Sequence, residues 1–216
     1  MVMRPCDNGG SRHSALGRMR CENGCGWLAS VAMDNEAPPA ERRDPPFPNS
    51  YWLPGAQLLA GEYPGGKTHD AARRKLGALL DAGVTHWVDL TETVDPLAPY
   101  DEVLSALAFE RGVEVTYARL SIPDMSVPEE ERMIEILDSI DESLGVGGTV
   151  YVHCWGGIGR TGTTVGCWLV RQGLEPEDAL EEVQRLYDTM SEEKRFMNPQ
   201  SPQTREQRDF VREWEE

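Results

Sequence analysis

The stretch from Thr149 to Val170, TVYVHCWGGIGRTGTTVGCWLV, constrains the fold of this chain more than any other. Thr149 to Val152 reads as a short buried strand, Cys154 to Arg160 as a tight loop with glycines at 156, 157 and 159, and Thr161 onward as an apolar helix. A strand that runs through a Gly-rich turn into a helix N-terminus makes an anion cradle. The glycines let successive backbone N–H groups turn inward without Cβ clashes, and the helix dipole adds about half a positive charge at that end. Into the cradle the sequence puts a thiol, Cys154, and a fork-shaped cation, Arg160. That pair suits a phosphoryl group attacked by sulfur.

The spacing alone is weak, because Cys6 to Arg12 repeats it with glycines of its own but with no strand before it and no helix after it. Only the later copy has the strand, His153 before the cysteine, the Gly159-Arg160-Thr161 ending and the helix. His153 to Thr161 resembles the HCxxGxGR[ST] signature of the cysteine-dependent protein tyrosine and dual-specificity phosphatases and matches every signature position. Ile122-Pro123-Asp124 and Gln203-Thr204-Arg205-Glu206-Gln207 also fit that family's pattern, so the likeness spans roughly residues 50 to 216.

Composition bounds the rest. The length suits one α/β domain with a sizeable core. A formal charge of −16 argues against nucleic acid or an anionic membrane as partner. The apolar run Trp27 to Met33 is too short for a signal peptide and lacks a cleavage site, and no stretch could span a bilayer. Five cysteines, with a required free thiolate among them, fit a reducing compartment, so a cytoplasmic protein is expected. Residues 1–50 are rich in Gly, Pro, Asn and Arg without periodicity and read as a disordered tail, with Met33 as an alternative start. Cys6, Cys21 and Cys25 with His13 have poor spacing for zinc and read as unpaired tail thiols. Residues 51–216 form the expected catalytic domain.

Within it, Leu58 to Glu62, Val84 to Leu90, Val113 to Leu120 and Thr149 to Val152 are the expected strands. Helices are expected over Thr68 to Ala82, Tyr100 to Arg111, Ser126 to Leu144, Pro176 to Met190 and Thr204 to Glu215. Ser126-Val-Pro-Glu129 reads as a capping box, with Met133, Leu137, Ile140 and Leu144 as a buried stripe behind it. Ser191 to Pro202 reads as a polar loop, and Cys167 as a core residue. The strand–helix alternation predicts a mostly parallel sheet of four to five strands with helices on both faces, in one domain.

A thiol at a helix N-terminus beside a guanidinium is favoured as thiolate, so Cys154 can attack phosphorus without a general base. Arg160 suits bidentate binding of two phosphate oxygens, with the backbone N–H groups of Trp155, Gly156, Gly157, Ile158 and Gly159 holding the remainder. The resemblance implies that Asp124, on the loop after the third strand, protonates the leaving group. The alternative is a turn or cap residue. Ile122 stands where many relatives have Trp. Thr161 is placed to hydrogen-bond the departing thiolate. Gln203, with Gln207, matches the family's water-positioning glutamines and equally well reads as a solvated helix start. His153 is expected to order the loop, and Glu92 to brace Arg160. No cofactor or metal is implied.

The substrate implied is a phosphorylated protein or a small phosphomonoester, with phosphotyrosine first and phosphoserine and phosphothreonine next. Trp155, Gly156, Gly157, Ile158 and Gly159 include no Lys or Arg, which suits phosphoinositides less. Small phosphate esters or inositol phosphates, a catalytically silent phospho-binding module and a sulfur transferase are the alternatives. The sequence sets no oligomeric state.

Overall fold

The structure is a computed structural model that describes residues 43–216. The Cys6 to Arg12 repeat, the tail thiols, His13 and Met33 lie outside the described residues. In chain order the elements are β1 (Ser50–Trp52), β2 (Leu58–Gly61), α1 (His69–Asp81), β3 (His86–Asp89), α2 (Asp101–Arg111) and β4 (Thr116–Arg119). They are followed by α3 (Glu130–Gly145), β5 (Val150–His153), α4 (Gly159–Arg171), α5 (Pro176–Tyr187), α6 (Glu192–Met197) and α7 (Arg205–Arg212).

The strands form one sheet in the order β1-β2-β5-β3-β4, parallel except at β1. Side chains alternate across it as the two-residue period requires. Leu58, Ala60, Val88, Val150 and Val152 face a core completed by Met133, Ile136, Leu137 and Ile140 of α3, Val165 and Leu169 of α4, Val183 of α5 and Val211 of α7. Leu59, Trp87 and Tyr151 face a second core with Leu76 and Leu79 of α1 and Leu104 and Leu107 of α2. Both faces are therefore covered. The register sets Gly61 and Asp89 opposite His153, and Arg119 opposite Asp89, so four C-terminal strand ends meet at one edge. Parallel sheets gather their ligands there. No described helix is long and apolar enough to cross a membrane.

Helix α4 is buried along nearly its whole length. Two glycines let the C-terminal segment approach it. A Cβ at Gly162 would lie 2.4 Å from Ser201 Oγ, and one at Gly166 would lie 2.9 Å from both Val211 methyl carbons.

Four expectations need correction. Residues 43–50 do not all belong to a tail: Phe47 packs on the second core, Ser50 is buried, and β1 adds an antiparallel edge strand. The polar loop after α5 contains α6, capped by Ser191 Oγ on the Lys194 N–H. The Ser126–Glu129 capping box does not form. Helix α3 begins at Glu130 with Glu129 as an N-cap that makes no side-chain bond, while the Ser126 N–H turns back to the Pro123 carbonyl at 3.2 Å. Pro128 disfavours helical backbone at Val127, which separates Ser126 from the helix. The α3 stripe also takes in Ile136, and Leu144 is only half-buried.

Alanine is intrinsically the better helix former by about 1 kcal/mol, yet Gly166→Ala should destabilise the chain by about 1–3 kcal/mol in urea unfolding because its methyl collides with Val211. In a Val211→Ala background the same change should become neutral or stabilising. An equal loss in both backgrounds would rule out that contact as the cause.

Candidate active site

Strand β5 delivers His153, and the chain then folds into the glycine loop that opens α4. The Cys154 thiol is buried at the loop's base and accepts the Gly157 N–H at 3.3 Å. Gly157 has φ +71, and a Cβ there would sit 2.4 Å from the Gly61 carbonyl carbon, so the loop lies directly on the end of β2. Three loop carbonyls are tied outward: Trp155 O to the Tyr63 N–H (3.0 Å), Gly156 O to Lys194 Nζ (2.7 Å) and Ile158 O to Ser201 Oγ (2.8 Å). The N-cap of α4, Ile158, makes no side-chain capping bond, which leaves first-turn N–H groups for an anion.

Arg160, 2% exposed, reaches from the first turn of α4 into a ring of acceptors. Its Nη1 donates to Asp95 Oδ2 at 2.9 Å, to the Ile122 carbonyl at 3.2 Å and to the Leu90 carbonyl at 3.5 Å. Its Nη2 lies 3.0 Å from Asp124 Oδ1 at ion-pair range but without hydrogen-bond alignment. Burial works against the guanidinium charge, but the Cys154 sulfur and the two carboxylates outweigh it and raise the Arg160 pKa. Asp124 is half exposed on the loop after β4, and its N–H faces Glu92 Oε2 at 3.4 Å. Cys154, Gly156, Ile158, Gly159, Arg160, Asp124, Met125, Gln203 and Gln207 line one cleft.

The carboxylate on Arg160 from the loop after β3 is therefore Asp95, not Glu92. Asp95 Oδ2 also accepts the Glu92 N–H at 3.1 Å, so the turn aims residue 95 inward and leaves the residue 92 side chain for the Asp124 backbone. Two acids three residues apart at a strand end were the available signal.

His153 is fully buried. Its Nε2 meets the Tyr100 hydroxyl at 2.6 Å and its Nδ1 the Cys154 carbonyl at 3.3 Å, an arrangement met by Nδ1–H donating and Nε2 accepting. Burial pushes its imidazole below the ordinary histidine range. Asp89, opposite it in the sheet, accepts from Thr91, Tyr117 and Arg119. The Thr161 hydroxyl is buried with no partner among the described residues, so it makes no bond to Cys154 here. Gln207 closes a capping box with Thr204 and donates from Nε2 to the Ser126 carbonyl, and Gln203 donates to Asn198. Trp155, the residue after Cys154, is 45% exposed.

Replacing Asp95 by Asn should lower kcat/KM on para-nitrophenyl phosphate by about 10- to 100-fold, the worth of a charged hydrogen bond of about 1.5–3 kcal/mol. Glu92→Gln should stay within about threefold on the same scale. The reverse order would return the bracing role to Glu92.

A family model described as a polymorphic toxin system DSP-PTPase phosphatase matches residues 61–174. Dual specificity protein phosphatase CDC14B of Mus musculus is 44% identical over 52 residues, 24% of this chain and 10% of that protein, so the chain spans about a tenth of that relative's length. An uncharacterized protein, MJECL20, of Methanocaldococcus jannaschii is 32% identical over 119 residues, 52% of this chain and 73% of that one. Among solved structures, Tk-PTP in its active form superimposes with a TM-score of 0.58 at 29% identity, covering 78% of this chain and 97% of that chain. The sheet, the loop signature and the matched span together assign the chain to the DSP-PTPase phosphatase family of polymorphic toxin systems.

Proposed function

We propose that this chain hydrolyses phosphomonoesters of protein side chains, phosphotyrosine first and phosphoserine and phosphothreonine after it, through a phosphocysteine at Cys154. One observation carries the reading: a buried thiol holding a backbone N–H, a buried guanidinium and a half-exposed carboxylate converge on a single cleft. The substrate phosphate takes two oxygens to Arg160, displacing the loosely aligned Asp124 from Nη2, and its remaining oxygens to the loop N–H groups. Cys154 Sγ then forms the bond to phosphorus as the ester oxygen leaves with a proton from Asp124. In the second step Asp124 takes a proton from water, the water oxygen bonds to phosphorus, and the thiolate departs toward the free Thr161 hydroxyl. Gln203 and Gln207, both lining the cleft, are suited to hold that water.

Substrate choice follows from the rim. Met125 lines the cleft and is 48% exposed, Trp155 is exposed, and the side chains from Trp155 to Gly159 bring no cation, a surface suited to an aromatic phosphoester more than to a polyphosphorylated one. A nucleophilic thiolate is suited to a reducing compartment, which favours the cytoplasm.

Phosphate release from para-nitrophenyl phosphate and a phosphopeptide panel over pH 4 to 8 tests this. Cys154→Ser should abolish turnover. Asp124→Asn should lower kcat by about 10²- to 10⁴-fold, while vanadate binds more tightly because the competing carboxylate charge has left Arg160. A fully active Cys154→Ser protein would sink the mechanism, and phosphopeptide retention without released phosphate would make the chain a binding module.

A further inference from the structure

Outside the proposed catalytic set, a half-buried cation touches the phosphate loop. Lys194, on α6, is 13% exposed at its side chain, and its Nζ is shared between the Gly156 carbonyl (2.7 Å) and Glu62 Oε2 (2.7 Å). Glu62, just beyond β2, is held in turn by Lys75 of α1 and by Asn49 Nδ2 at 2.9 Å, ahead of β1. Burial opposes the Glu62 charge, and the hydrogen bonds from Lys194 and Lys75 overcome it and lower its pKa. One carboxylate between two ammonium groups leaves this cluster net positive, and Lys194 is its member on the loop.

The orientation of this contact matters more than its charge. In a trans peptide the carbonyl of one residue and the N–H of the next point in opposite directions. Whatever holds the Gly156 carbonyl outward therefore aims the Gly157 N–H inward, and that N–H lies 3.3 Å from Cys154 Sγ. The peptide is flanked by two glycines, so its own backbone preference is weak and an external anchor decides its direction. The neighbouring carbonyls of Trp155 and Ile158 are anchored by a backbone N–H and a hydroxyl. Lys194 alone among the three anchors brings a charge.

We propose that Lys194 is a positioning residue of the phosphate site: it holds the Gly156–Gly157 peptide so that the Gly157 N–H faces the Cys154 sulfur, and it places its ammonium behind that peptide, on the side away from the sulfur. The thiolate and the incoming phosphate then meet a fixed donor backed by positive charge. This role rests on the phosphatase reading above, since a fixed donor at the sulfur serves both attack and departure of the thiolate.

The test compares the full chain with Lys194→Met and Lys194→Arg. Three quantities are read: iodoacetate alkylation of Cys154 at pH 6, vanadate inhibition, and kcat against KM on para-nitrophenyl phosphate. In Lys194→Met, alkylation should slow about tenfold because the sulfur loses its fixed Gly157 N–H donor. Vanadate should bind about tenfold more weakly, and kcat should fall by more than KM rises. Lys194→Arg should recover most of each loss.

A Lys194→Met protein that melts like its parent and matches it in alkylation and vanadate binding would overturn the proposal. Should that variant fail to fold, Lys194→Gln carries the same test, because its shorter side chain neither carries the charge nor reaches the carbonyl. A parent that turns over no phosphoester would overturn the proposed function instead, while the alkylation comparison still decides the role of Lys194.

Discussion

A guanidinium buried on the first turn of a helix is in an unfavourable place, because it is desolvated and faces the positive end of the helix dipole. Arg160 is tolerable there only because acceptors from three directions converge on it: Asp95 from the loop after β3, the Leu90 carbonyl beside it, and Ile122 and Asp124 from the loop after β4. These segments leave neighbouring parallel strands at the same sheet edge, so the parallel register is what brings the acceptors within reach. The site depends on this convergence. It ties the Cys154 loop to the loop carrying the proposed acid, and neither can move far without exposing a buried charge to an unpaired state.

The ring is also uneven. Asp95 is nearly buried and well aligned on Nη1, whereas Asp124 is 52% exposed and only at ion-pair range from Nη2. A dianionic phosphate can therefore replace the weaker carboxylate while the stronger one keeps the guanidinium in place. The displaced Asp124 side chain stays beside the ester to which, in its protonated form, it is proposed to give a proton, on a loop held by Glu92 at the Asp124 N–H and by Gln207 at the Ser126 carbonyl. Two contacts far apart in sequence thus restrict how far the acid loop can open.

Much of this architecture was legible in the sequence because it rests on local signals. Short apolar runs alternating with helical segments marked a parallel sheet, and a glycine loop between strand and helix marked the cradle with Cys154 and Arg160. The unread parts depend on tertiary partners. Strand β1 is three residues long and exists by pairing with β2, and α6 buries no apolar residue and is held by the Tyr187 hydroxyl and by Lys194. The Ser126 capping pattern gave way to a turn whose carbonyl is taken by Gln207, 81 residues away. Asp95 and Glu92 could not be ranked without the turn that aims one inward. Lys194 lay in a segment with no periodicity, and nothing local distinguishes it from a solvated lysine.

Helix α4 shows why the phosphate site and the core cannot be separated energetically. Apart from Arg160, its residues 159–164 are Gly and Thr, poor helix formers, so its stability comes from burial rather than propensity. The same glycines that weaken it let Ser201, Gln207 and Val211 approach its backbone. Those residues then anchor the Ile158 carbonyl, line the cleft and fill the core between α4 and α7. The donor end of the helix is thus rigid only as long as the C-terminal segment is docked on it. Loosening the segment from α6 to α7 should degrade anion binding before it unfolds the sheet, because the loop N–H groups lose their orientation once Lys194 and Ser201 release the Gly156 and Ile158 carbonyls.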